Sequence, residues 1–142
     1  PGSPVRAARR ECRYRTVRQI KETSLSTFRH PIEIGDPAGS RFESIDALVD
    51  TGATFTLAPS SLLRRLGVEP TRRSTFVLAD GRHIERDVGQ TWVRVNGQAV
   101  IRLVVFGNEG EAPLLGADTL EGLLLSVDPV KHRLVPTPGL LM

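Results

Sequence analysis

Short apolar segments alternate with turn residues along most of this chain, at intervals of about ten residues. The clearest turns are Asp-Gly at residues 80–81 and Asn-Gly at residues 96–97, because hairpin loops of two residues favour these dipeptides. Predicted strands cover residues 28–34, 42–49, 55–57, 76–78, 83–85, 92–95, 99–106, 124–127 and 133–135. The pattern predicts an all-β fold, a small closed β-barrel.

Two short helices are predicted between these strands. Pro59 can occupy the first position of a helix that continues over residues 60–66, and Gly67 suits the cap at its C-terminus. A second helix is predicted over residues 117–123.

Length and apolar content limit the class of protein to which the chain can belong. With 142 residues, of which 39% are hydrophobic, the chain can form one domain with its own core. Its apolar runs are far shorter than a transmembrane helix, and no apolar signal segment follows the basic start, so no membrane contact is expected. Cys12 is the single cysteine and has no partner for an internal disulfide, which favours a cytoplasmic location.

Basic side chains are concentrated at the N-terminus. The chain has 19 basic and 16 acidic side chains. Residues 1–21 hold seven of the basic and one of the acidic side chains, and residues 22–142 hold the other 12 basic and 15 acidic ones. We therefore divide the chain into a basic arm, residues 1–27, and a domain, residues 28–142. The arm is interpreted as a solvated extension, a pro-segment or, at its first residues, a cloning remnant. The alternative is a tail that binds nucleic acid, an anionic surface or an acidic partner. The domain is net acidic and the chain has only 5% aromatic residues, so no nucleic-acid partner is expected.

The segment ALVDTGATFTLAP, residues 47–59, places Asp50 directly after an apolar run. A carboxylate beside an apolar core costs free energy unless it has polar partners, so its presence at this position indicates a functional role. One alternative is that Asp50 is an ordinary turn residue at the end of a strand. Another is a phosphate-binding turn of the actin and sugar-kinase kind, which requires two lobes and a far longer chain.

Three features, in this order, resemble the retropepsin-like aspartic proteases. Asp-Thr-Gly at residues 50–52 lies between apolar segments, a hairpin follows over residues 75–85, and Leu-Leu-Gly at residues 114–116 precedes a short helix. The resemblance spans about residues 28–135. It implies a single-lobe barrel of the retropepsin type, retroviral in size and bacterial in style, that forms a two-fold homodimer.

The resemblance implies an aspartic endopeptidase. Peptide hydrolysis by carboxylates needs one group to activate water and one to protonate the carbonyl oxygen and the leaving amine. With one Asp-Thr-Gly in the chain, the second Asp50 must come from a second copy across a two-fold axis. The implied substrate is an extended polypeptide, and no cofactor is implied. A peptide-binding module of the same fold without catalysis is the alternative.

The implied site has four parts. They are the catalytic Asp50, the supporting Thr51, Gly52 and Ala53, the flap residues Leu78, Ala79, Asp80 and Gly81, and the structural residues Leu114, Leu115 and Gly116. Thr51 is expected to bond across the two-fold axis, and Gly52 to let the substrate backbone approach closely.

The other candidate residues are interpreted as structural. His30, His83 and His132 are too far apart in the sequence for a metal-ligand motif, so no metal is expected. Cys12 lies in the arm without a histidine nearby, and Asp118 suits a helix cap or a turn.

The chain departs from retroviral members of the family at two positions. Those members carry an acidic residue at the position of Thr54 and pair it with an arginine at the position of Ala117. Because both partners are absent here, the dimer is expected to rest on Thr51 and on apolar terminal segments, residues 134–135 and 140–142.

Overall fold

The computed structural model describes residues 27–141, so Cys12, Met142 and almost all of the predicted arm lie outside the described residues. The described part is mostly strand, with two short helices, which confirms the predicted class. The strands are β1 (Arg29–Gly35), β2 (Phe42–Val49), β3 (Thr56–Pro59), β4 (Arg72–Val77), β5 (His83–Val95), β6 (Gln98–Gly107), β7 (Leu114–Leu115), β8 (Leu125–Asp128) and β9 (Arg133–Pro136), and the helices are α1 (Ser60–Arg65) and α2 (Ala117–Gly122). Neither helix of residues 27–141 has the length and apolar character needed to cross a membrane.

Seven strands form one sheet in the order β1-β2-β7-β3-β6-β5-β4. β1 also pairs with β5, where Glu33 lies opposite Arg94 and Ile34 opposite Val93. The pairings therefore form a ring that runs from β1 through β2, β7, β3, β6 and β5 back to β1, with β4 outside it. β8 and β9 form a separate antiparallel pair near the C-terminus, as the sequence predicted.

The core is built from alternate residues of the ring strands, because successive side chains of a strand point to opposite faces. Ile32 and Ile34 on β1, Ala47 and Val49 on β2, and Val93 on β5 are all buried. Other members of this core are Ala58, Leu62, Leu63, Leu66, Val95, Val104, Phe106 and Leu115. Helix α1 thus contributes Leu62 and Leu63 to the same core as the sheet.

The β5–β6 hairpin has the predicted two-residue loop. Val95 lies opposite Gln98, and between them Asn96 and Gly97 have φ values of 53° and 84°. Positive φ at both positions defines the turn type whose twist matches that of the flanking strands.

The β4–β5 hairpin has a longer loop than its Asp-Gly dipeptide predicted. The Leu78 N–H donates to the Arg82 carbonyl oxygen at 2.8 Å, so three residues lie inside this closing pair. Gly81 has a φ of +90°, a conformation that residues with a side chain rarely adopt.

The prediction of separate strands at residues 83–85 and 92–95 is wrong, because they belong to one strand of 13 residues, β5. Its polar middle continues the strand, since Arg86 and Asp87 pair with β4 while the following residues pair with β6. Gly89 fits there because a Cβ would lie 2.8 Å from a backbone oxygen.

Helix α1 begins one residue later than predicted. Pro59 is extended, with φ −60° and ψ 136°, and precedes the helix as its N-cap. Gly67 ends the helix as predicted: its φ is +82°, and its N–H donates to the Arg64 carbonyl oxygen at 3.0 Å.

Candidate active site

Asp50 is the first residue after β2, and hydrogen bonds close its turn. The Asp50 N–H donates to the Leu115 carbonyl oxygen at 3.0 Å, and the Ala53 N–H donates to the Asp50 carbonyl oxygen at 3.1 Å. The Gly52 N–H donates to Oδ1 of Asp50 at 2.9 Å. Asp50 is half-buried and Thr51 is exposed. One carboxylate oxygen is therefore held by the backbone, while the residue keeps access to solvent.

Strand β7 lies between the two strands that flank this turn. Leu48 and Val49 of β2 pair in parallel with Leu114 and Leu115, and Leu57 of β3 pairs with Leu114 in the antiparallel sense. The structure thus brings the predicted Leu-Leu-Gly element next to the predicted Asp-Thr-Gly turn.

Gly116 occupies a position with no room for a side chain. A Cβ there would lie 2.5 Å from the carbonyl carbon and oxygen of Phe55. The Gly116 N–H donates to Oγ1 of Thr56 at 3.1 Å, and this oxygen lies 2.7 Å from Oγ1 of Thr119. Both threonines are fully buried. A small buried polar network therefore joins β3, α2 and the Leu-Leu-Gly element.

Thr56 and Thr119 were not among the residues predicted from the sequence. Thr56 alternates with Ala58 on the inward face of β3, and a hydroxyl at such a position requires a buried partner. That alternation was the available signal for Thr56, whereas its partner on α2 is far away in the sequence.

Backbone hydrogen bonds also join the segment after the turn to the start of α2. The Ala117 N–H donates to the Ala53 carbonyl oxygen at 2.8 Å, and the Asp118 N–H donates to the Thr54 carbonyl oxygen at 2.9 Å. The two positions that carry an ion pair in retroviral members are thus adjacent here, joined through the backbone. Asp118 lies in the first turn of α2, and its carboxylate is 3.5 Å from Nε of Arg102.

The β4–β5 hairpin carries the predicted flap residues at its loop. Ala79, Asp80 and Gly81 are exposed, and Leu78 is half-buried. Asp80 accepts hydrogen bonds from the backbone N–H of Arg82 at 3.0 Å and from its Nε at 2.7 Å. These bonds, the backbone one first, lower the pKa of Asp80, so the loop carries a charged, internally paired carboxylate.

An aromatic contact joins the flap to the segment after the Asp50 turn. The rings of Phe55 and Phe76 meet edge to face, with centroids 6.2 Å apart and planes at 87°. The neighbouring Val77 is 62% exposed, which is unusual for a large apolar side chain on a strand. Because successive residues of a strand face opposite sides, Val77 lies on the face of the hairpin turned away from Phe55.

The histidines lie apart from one another. His30 is 2.9 Å from Oδ1 of Asn96, and His132 stacks on Phe28 with ring centroids 5.7 Å apart. His83 begins β5. Residues 27–141 contain no cluster of three or more histidine, cysteine or acidic side chains that could hold a metal ion.

The comparisons with known proteins agree with this geometry. The sequence model of the family described as "gag-polyprotein putative aspartyl protease" matches residues 42–122. This range contains the Asp50 turn, the flap and the Leu-Leu-Gly element. No curated protein sequence matches the chain.

Several solved structures resemble the chain, and three of them illustrate the likeness. The retroviral protease-like domain of Ddi1 from Leishmania major is 18% identical, with a TM-score of 0.50, and the match covers 78% of this chain and 87% of that one. The simian foamy virus (mac) protease is 23% identical, with a TM-score of 0.48 and coverage of 68% and 94%. A retropepsin-like aspartic protease from Rickettsia conorii is 22% identical, with a TM-score of 0.42 and coverage of 72% and 84%.

The fold and the family match together define a retropepsin-like aspartic protease domain. Because the family model covers more than half of the chain, the chain belongs to this family of aspartyl proteases.

Replacing Thr56 tests the buried network. Thr56→Val keeps the shape of the side chain but leaves the Gly116 N–H without its acceptor, and we expect it to lower the free energy of unfolding by about 2 kcal/mol. Thr56→Ser keeps the hydroxyl and loses one methyl group, and we expect a loss of only about 1 kcal/mol. Urea denaturation of both variants measures the difference. Equal losses would show that packing of the methyl group, and not the hydrogen bonds, sets the stability of this position.

Proposed function

We propose that this protein is an aspartic endopeptidase in which two copies of the chain supply one Asp50 carboxylate each. The observation that carries the proposal is the position of Asp50: a half-buried carboxylate at the end of β2, in a turn closed by the Gly52 and Ala53 N–H groups. Among the described residues, no ion pair neutralises Asp50. A free carboxylate on a rigid turn is suited to general acid–base chemistry.

In the proposed mechanism, the two facing carboxylates share one proton, because close like charges do not both ionise. The ionised carboxylate takes a proton from water as the water oxygen bonds to the peptide carbonyl carbon. The protonated carboxyl gives its proton to the carbonyl oxygen. The C–N bond of the tetrahedral intermediate then breaks as one carboxyl proton moves to the leaving nitrogen, while a hydroxyl of the intermediate returns its proton to the other carboxylate and restores the shared proton. Water is added across the peptide bond, and no cofactor is needed.

We assign the supporting roles to the remaining predicted residues. Thr51 is exposed beside Asp50, where its hydroxyl can bond to its counterpart in the second copy. Gly52 leaves space for the substrate backbone. The flap loop, residues 78–81, supplies main-chain groups to an extended polypeptide and limits access of water when it closes.

The domain boundary at residue 28 is also a proposal. The Phe28 carbonyl oxygen accepts a hydrogen bond at 2.9 Å from the N–H of Val49, the residue before Asp50. Phe28 is thus part of the support of the turn, and we place the basic arm, residues 1–27, outside the catalytic domain. The single cysteine is the reason for proposing a cytoplasmic location.

Replacing Asp50 tests the mechanism. We expect Asp50→Asn to lower the rate of cleavage of an unfolded polypeptide at least about 100-fold, because the amide keeps the shape but cannot exchange a proton. Asp46→Asn is the matched control: Asp46 lies on β2, the strand that leads into Asp50, its side chain is 61% exposed, and its ion pair with Arg29 is long, at 3.9 Å. Mass spectrometry of the products measures the rates.

The same assay distinguishes the protease from a peptide-binding module. If wild-type protein binds an extended peptide but cleaves none, the module without catalysis is correct. Undiminished cleavage by well-folded Asp50→Asn would exclude the carboxylate mechanism.

The pH dependence of cleavage provides an independent test. A pair of carboxylates is competent while it holds one proton, so the rate should peak on the acid side of neutrality and fall as that proton is lost. A rate that still rises at pH 9 would indicate a different nucleophile. The measurement is kcat/KM for one peptide between pH 3 and pH 9.

The proposed dimer contact lies in the C-terminal segment. Leu140 and Leu141 are 86% and 100% exposed, and Leu124 is 49% exposed. Apolar side chains this exposed are candidates for burial against a second copy. With threonine and alanine at positions 54 and 117, the retroviral ion pair between subunits is absent, so this apolar contact would have to hold the dimer.

Truncation after Pro136 should therefore weaken the dimer more than any single charge change, for which Lys131→Gln serves as the control. Dimerisation should depend weakly on salt, because apolar burial is not screened as ion pairs are. Sedimentation at increasing salt concentrations measures both effects. A dimer that dissociates in moderate salt but survives the truncation would place the interface elsewhere.

A further inference from the structure

The flap hairpin leaves the sheet at Val88. Val88 is the first residue of β5 that pairs with β6, where it lies opposite Val105. Within the described residues, positions 83–87 pair with β4 alone. The hairpin of residues 72–87 therefore projects from the sheet, and side-chain contacts must set its position relative to Asp50.

One such contact is an ion pair at the base of the hairpin. Nη2 of Arg86 donates to Oε2 of Glu111 at 3.0 Å, and the side chains are 17% and 34% exposed, which makes this the most buried of the ion pairs found in residues 27–141. Nη1 of Arg86 donates to the Glu85 carbonyl oxygen at 3.1 Å, whereas its buried Nε has no partner in the described part of the chain. A guanidinium removed from water in this way depends on its carboxylate partner.

Glu111 is itself fixed in the loop between β6 and β7. Its Oε1 accepts the Asn108 N–H at 2.6 Å, and its own N–H donates to the Asn108 carbonyl oxygen at 3.1 Å. Burial of Glu111 opposes its ionisation, but the bonds from Asn108 and Arg86 outweigh burial and lower its pKa. The carboxylate is therefore charged and is held through both of its oxygens.

The loop that holds Glu111 continues directly into the support of the candidate catalytic turn. The Pro113 carbonyl oxygen accepts the Leu48 N–H at 2.9 Å, and the Leu115 carbonyl oxygen accepts the Asp50 N–H at 3.0 Å. A short, continuous chain of contacts thus connects the base of the flap to Asp50.

The opposite face of the hairpin is held by weaker ion pairs. Asp87 points away from Arg86, because neighbours on a strand face opposite sides. It pairs with Arg64 of α1 at 3.6 Å and with Arg73 at 3.0 Å, but both arginine side chains are 58% exposed. Exposed pairs contribute little to stability. Of the ion pairs on the two faces of the hairpin, the one between Arg86 and Glu111 is therefore expected to contribute more to holding it.

We propose that Arg86 and Glu111 are positioning residues, whose ion pair fixes the base of the flap against the segment that supports Asp50. Neither residue touches the reacting atoms. The consequence for catalysis rests on the proposed protease function: a flap held in register binds an extended substrate without first having to be ordered.

Replacing Glu111 by glutamine tests the ion pair, because the amide oxygen can still accept the Asn108 N–H while the negative charge is lost. In Glu111→Gln, backbone amides of residues 72–87 should exchange with solvent about 10-fold faster, as expected for loss of a charge-assisted hydrogen bond. Exchange in β1 and β2 should not change. For peptide cleavage, KM should rise while kcat stays within about two-fold, since the contact acts on substrate binding.

The matched control is Glu33→Gln. Glu33 is 37% exposed and pairs with Arg94 at 2.7 Å on a different part of the sheet, so it undergoes the same chemical change at similar exposure. It should leave flap exchange unchanged. Arg86→Gln and the double variant Arg86→Gln/Glu111→Gln complete a cycle, in which the double variant should exchange no faster than the faster single variant.

The outcomes separate the two proposals. Flap exchange in Glu111→Gln equal to that of the wild type or of Glu33→Gln would overturn the role of the ion pair, and so would additive effects in the cycle. Faster flap exchange in a protein whose wild type cleaves no peptide would support the positioning role and overturn the protease function instead.

Discussion

The set of hydrogen bonds between the Asp50 turn and the segment that begins at Leu115 is the constraint on which the site depends. Leu115, Gly116, Ala117 and Asp118 each contribute a backbone group to the turn or to the strand that follows it. Gly116 makes this approach possible, because any side chain would collide with the backbone of Phe55. A carboxylate held on such a turn loses little freedom when it binds substrate, and preorganisation of this kind favours catalysis.

The flap, in contrast to the Asp50 turn, has few backbone hydrogen bonds to the rest of the sheet. Beyond Val88 its strands pair with each other and not with the sheet, so it can move as a unit. Two side-chain contacts of different chemistry join the flap to the rest of the domain. They are the edge-to-face rings of Phe55 and Phe76 and the buried ion pair of Arg86 and Glu111. The two residues outside the flap, Phe55 and Glu111, lie close in the sequence to the elements that hold Asp50. The residues that contact the flap are therefore next to those that support the Asp50 turn.

The family assignment and the geometry bear on different questions. The family match, residues 42–122, establishes the class of protein. The geometry shows that backbone hydrogen bonds within the chain join Ala53 to Ala117 and Thr54 to Asp118, so the two segments that carry the charged pair in retroviral members lie side by side here without it. In the proposed dimer, a second copy supplies the other carboxylate, and the exposed leucines near the C-terminus are candidates for apolar burial against it.

The sequence by itself determined the strand class, the turn at Asn96 and Gly97 and the candidate Asp50, because strand alternation, turn dipeptides and an isolated carboxylate are local signals. The prediction for β5 was wrong, since residues 86–91, in which only Val88 is a large apolar residue, form a strand through partners on both sides. The tertiary structure alone brought Thr56 to Thr119 and Arg86 to Glu111. These residues are far apart in the sequence, and no local pattern encodes which distant polar group will satisfy a buried one.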